Sequence, residues 1–172
     1  MRALNEIGAM AQKAALGAGV PLGQAEDLGR TAIHLAGTGG DLQMIVDALA
    51  EPMSQLELKW GSDHITILAG PVALAGPVIR DAFAMGASKA VLADATHVSL
   101  VVTILAQDGV EMVTSGTTLT RKGERKEETL RGPFDVPAAV WTALEALAAK
   151  TYVPESDASR ISGAGAGLTD ND

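Results

Sequence analysis

The stretch "VSLVVTILAQDGVEMVTSG", residues 98–116, decides the fold. Apolar and β-branched residues run up to Asp108-Gly109 and resume after it. Asp-Gly favours two-residue hairpin turns because Gly takes positive φ without steric cost. The stretch is therefore expected to be an antiparallel hairpin. Working outward toward the N-terminus, "KAVLADA" (89–95) has the texture of a strand. "HITILAG" (64–70) is β-branched and nearly continuous, as in a buried strand, and "QLELKW" (55–60) alternates. Between them, "LAGPVALAGPVIRDAFAMG" (68–86) carries LAGP twice. A proline deep inside a helix costs about 3 kcal/mol, whereas the first turn tolerates it. One short helix is thus expected from near Pro77 to Gly86.

Helices flank this strand-rich centre. Leu4, Ile7, Met10, Ala11 and Ala14 share one helical face, with Asn5 able to cap the start. Leu22, Ala25, Leu28, Ala32 and Leu35 repeat the pattern, and Asp41 caps a third helix that ends before Pro52. A last helix is expected from Asp135 to about Lys150, with Trp141 beside its apolar stripe. Strands clustered between helices predict an α+β fold. It comprises an N-terminal helical bundle (1–53), a central, mostly antiparallel sheet with one short helix (within 54–153), and a Gly-rich acidic tail (154–172). The 172 residues suit a single domain.

Composition narrows function. Hydrophobic residues make up 47% and aromatics only 3%, so Ala, Leu and Val must build the core. Small side chains let elements approach closely. The absence of cysteine removes thiol nucleophiles and thiolate metal sites, and it suits the cytoplasm. A net charge of −8 argues against nucleic acid as partner. The longest apolar run, Ile65 to Val78, is broken by Gly70, Pro71, Gly76 and Pro77, so no membrane span is expected.

Two stretches invite chemistry. "TSGTT…KG", Thr114 to Gly123, resembles the phosphate loop of adenylate-forming enzymes. Leu119 stands where that pattern has Gly, and Arg121 where it has Pro, so it reads as a β-turn at Ser115-Gly116 followed by a Thr-rich strand. Asp94-Ala-Thr-His97 lies at a strand end, with Arg80 and Asp81 on the preceding helix. An Asp–His pair can carry protons. Asp63 and His64, at a strand entry, are expected to point to opposite faces and so not to form a pair. His34 is expected on a solvated helix face.

The chain resembles a family of small proteobacterial proteins grouped under a domain of unknown function. The resemblance lies in "LNEIGAMAQKAALGAGVPLGQAEDLGR" (4–30) and "TYVPESDASRISGAGAGLTDND" (151–172). It implies no activity or residue role, but it marks the tail as a family feature.

Two functional readings follow. One is a cytoplasmic binding or accessory protein, a homo-oligomer or a subunit acting with a small-molecule metabolic enzyme. The other is a small hydrolase or lyase using Asp94 and His97, with the tail closing the site through Arg160. Asp170 and Asp172 are the candidate cation ligands. No cofactor is specified by the sequence.

Overall fold

The computed structural model describes residues 1–124 and 133–152. Three helices come first: α1 (Leu4–Gly17), α2 (Leu22–Thr38) and α3 (Gln43–Ala50). Then follow β1 (Glu57–Trp60), β2 (His64–Ala69), α4 (Val72–Ala84), β3 (Lys89–Val91), α5 (Val98–Gln107), β4 (Val110–Ser115), β5 (Thr118–Glu124) and α6 (Ala138–Ala148). The five strands form one sheet in the order β1-β2-β3-β5-β4. Only the β2–β3 pair is parallel, with α4 as its crossover; the other neighbours are antiparallel. The architecture is α+β.

One face of the sheet is apolar. Ile65, Ala90 and Leu119 are direct cross-strand partners and fully buried. Helices α4 and α5 pack on the sheet, and α2 packs on both of them. Helix α6 returns to lie along α1. The small residues work as expected of them. A Cβ on Gly29 of α2 would come within 2.9 Å of the Gly8 carbonyl oxygen of α1. A Cβ on Gly17 would fall on the Leu147 carbonyl of α6. These helices therefore meet backbone to backbone.

The structure corrects several expectations. Residues 98–107 are helix, not the first arm of a hairpin. Leu100, Val101, Ile104 and Leu105 of α5 are buried because the sheet lies on one side of the helix and α2 on another. A helix covered on two sides loses its polar stripe and looks like a buried strand. Asp108-Gly109 ends that helix, with Gly109 at φ 75°. The hairpin is β4–β5, turning at Gly116 (φ 59°), as the turn reading of "TSGTT" required. Helix α4 begins at Val72, so Pro77 lies inside it. The first helix starts at Leu4 behind Ala3, with no side-chain cap from Asn5. Helix α6 starts at Ala138, and Asp135 instead meets the amino terminus of Met1 at 3.2 Å.

Candidate functional site

The parallel pair β2–β3 fixes the site. Both strands run the same way, so both strand-to-helix turns open at one edge of the sheet. After β2, Gly70 at φ 112° turns the chain into α4; a Cβ there would press on the backbone of residues 55 and 56. After β3, residues 92–97 lead into α5, with His97 just ahead of its first turn. Carboxyl ends of parallel strands are where open sheets receive ligands.

A cleft of about 290 Å³ lies at this edge. Leu68, Val72 and Leu92 give it an apolar wall, and Glu51, Asp94 and His97 are its polar side chains. Glu51 comes from the end of α3, outside the two strand-to-helix turns. It follows α3 and precedes Pro52, which keeps it extended (ψ 142°). One carboxylate oxygen accepts the Val72 backbone N–H at 3.0 Å, satisfying a donor at the start of α4. The other lies 2.7 Å from His97 Nε2. His97 is 17% exposed, and a second cavity of about 350 Å³, bordered by Met44, Asp47 and Leu100, touches its ring as well.

Asp94 and His97 thus share one cleft, but the close partner of His97 is Glu51. Asp94 Oδ1 accepts the Thr96 backbone N–H at 2.8 Å. That bond, then the Thr96 side chain, holds the Asp94 carboxyl below its usual range; desolvation opposes them and the charge of His97 adds to them. A depressed carboxylate contributes stability above its unfolded value, and that contribution disappears as pH falls through the folded value. Asp94→Ala should therefore be less stable than wild type at pH 7, and the difference should vanish well below pH 3.8. Urea midpoints at pH 7 and pH 2.5 check this.

Arg80 and Asp81 lie elsewhere. Arg80 Nη1 reaches Asp27 Oδ1 at 3.0 Å and Asp108 Oδ2 at 3.5 Å, while Nε binds Asp81 at 3.2 Å. Asp27, 7% exposed at its side chain, also binds Arg30. This polar knot ties α2, α4 and the end of α5. Burial pulls the Arg80 guanidinium down, but the hydrogen bond and charge of Asp27, reinforced by Asp81, leave it raised.

Asp63 and His64 do form a pair, at 3.1 Å, contrary to expectation. Asp63 sits in the turn before β2, where strand alternation does not apply. The hydrogen bond to His64 lowers the Asp63 pKa, with Lys89 and Ser88 adding to it against desolvation. His34, expected on a solvated face, is half-buried on α2. Arg160, Asp170 and Asp172 lie outside the described residues. Among the described residues no group of three His, Cys, Asp or Glu side chains is placed to hold a metal ion, and no helix is long and apolar enough to cross a membrane.

Sequence reading missed Glu51. Its one signal is an acidic residue at a helix C-terminus, where the dipole disfavours it. No curated protein and no solved structure matches the chain. A family match falls in the helical layer and stops short of the cleft: residues 2–45, covering α1, α2 and the start of α3, match a family described as a protein of unknown function (DUF3726).

Proposed function

We propose that this chain is a small-molecule-binding protein, acting in the cytoplasm as an accessory subunit to a metabolic enzyme or as a homo-oligomer. Its ligand sits in the cleft between the β2–α4 and β3–α5 turns, against Asp94 and His97. The observation that carries this reading is a concave site with an apolar wall and three convergent polar side chains, the usual composition of small-ligand sites. The packing of α2 on α4 and α5 supports one domain. The N-terminal family match, with the C-terminal resemblance, supports membership of that bacterial family.

A thermal-shift screen against charged and neutral metabolites tests the binding reading. A ligand at a hundred times its Kd adds about 2.7 kcal/mol, or about 5–10 °C for a chain of this size. Ala93 is exposed and lines the cleft, so Ala93→Trp should abolish that shift while leaving the unliganded melting point nearly unchanged. A panel that moves neither protein refutes the reading. Light scattering tests the assembly reading, which a strict monomer without a stable partner would contradict.

One contact favours a second reading, a small hydrolase or lyase. His97 at 2.7 Å from Glu51 is a carboxylate-oriented imidazole, and a general base of this kind is worth about 10²–10⁴ in rate. In that case His97→Asn should lose turnover and still bind ligand. Equal loss of binding and turnover would leave His97 a binding group only.

A further inference from the structure

The charge of the cleft selects its ligand. Glu51 and Asp94 both line it, and among the described residues no Lys or Arg does. Anions have little to hold there. The start of α4 would be their natural anchor, but Glu51 Oε2 already occupies the Val72 N–H. Asp47, which receives a hydrogen bond from Gln43 at 2.8 Å, borders the neighbouring cavity and adds negative charge on the far side of His97. The cleft is also small, at the lower end of small-molecule sites, and its remaining wall is the aliphatic surface of Leu68, Val72 and Leu92.

Resting on the ligand-binding reading above, we infer that the cleft takes a small organic ammonium ion: a protonated primary amine carried on a short aliphatic chain. The ammonium group carries three N–H donors and no acceptor. Glu51 and Asp94 offer it acceptors, while its chain covers the apolar wall. A carboxylate of the same length would meet two like charges, and a neutral alcohol would leave the carboxylates without a counter-charge.

Three probes of matched shape separate these cases: n-butylammonium, butyrate and n-butanol, titrated into the full chain at pH 8 and followed by backbone amide NMR. Butylammonium should shift the amides of Ala69, Ala93 and their neighbours, and the other two should not. Asp94 is exposed, so Asp94→Asn keeps the fold and should weaken butylammonium about tenfold, the loss of one charge-assisted contact. Butyrate or butanol binding at the cleft as well as butylammonium overturns the inference and leaves the ligand site standing. Butylammonium binding unchanged by Asp94→Asn overturns it too. A cleft silent to all three, when another compound of the screen binds there, refutes the amine class alone. Silence to every compound refutes the site together with its ligand.

Discussion

Gly17→Ala is expected to melt several degrees, up to about 8 °C, below the wild type. An added Cβ at residue 17 would overlap the Leu147 carbonyl, so α1 and α6 must separate. Separation uncovers the seam where Ala14, Ala15 and Leu144 are buried. Overpacking of this kind costs about 1–3 kcal/mol, more when backbone has to move. Alanine gains up to about 1 kcal/mol over glycine in a helix, which offsets only part of the loss. At about 2–4 °C per kcal/mol, the net loss gives the expected shift. Gly23 supplies the control. It lies in α2 with nothing within 4 Å of an added Cβ, so Gly23→Ala should hold or raise the melting point. Equal melting of the two variants would show that the α1–α6 approach is looser than described.

Asp27→Ala should remove about 2–3 kcal/mol. The Asp27 side chain is nearly buried and binds both Arg30 and Arg80. Arg80 is 27% exposed, so its charge cannot relax fully into water when this partner is lost. Asp81 and Asp108 remain within reach, which keeps the cost below that of orphaning a buried charge outright. Asp27→Asn should fall between, since the amide oxygen still accepts one hydrogen bond. Denaturant unfolding of the three proteins with a common slope checks the order. Asp27→Ala as stable as wild type would show the knot to be net neutral.

Much of the fold is legible in local patterns. Helices α1, α2 and α3 each present an apolar face that meets the core, and β1, β2, β3 and β5 lie where alternation or β-branched runs place them. What could not be read are the features set by distant neighbours. Helix α5 lost its amphipathic signature because it is covered on two sides. The start of α4 was displaced by five residues because Glu51, 21 positions upstream of Val72, satisfies its first donor. The same carboxylate explains the candidate site. Asp94 and His97 declare themselves by type and spacing, but the group that touches His97 belongs to another layer of the molecule. Asp27 stood in plain view beside the Leu28 stripe, yet its partners lie on α4 and at the end of α5, beyond any local pattern.

The return of α6 onto α1 bears on how the chain is made. Arg2 bridges Phe134 through paired backbone hydrogen bonds, Arg2 stacks over the Trp141 ring at 4.1 Å, and the amino terminus meets Asp135. During synthesis α1 and α2 leave the ribosome first and can pair at once. The other flank of α1 has no cover until Ala138–Ala148 has been translated and has cleared the exit tunnel. While everything between α1 and α6 is being translated, the nascent chain carries a strip of alanines and glycines that awaits its partner helix, and the helical layer cannot close until α6 has been made.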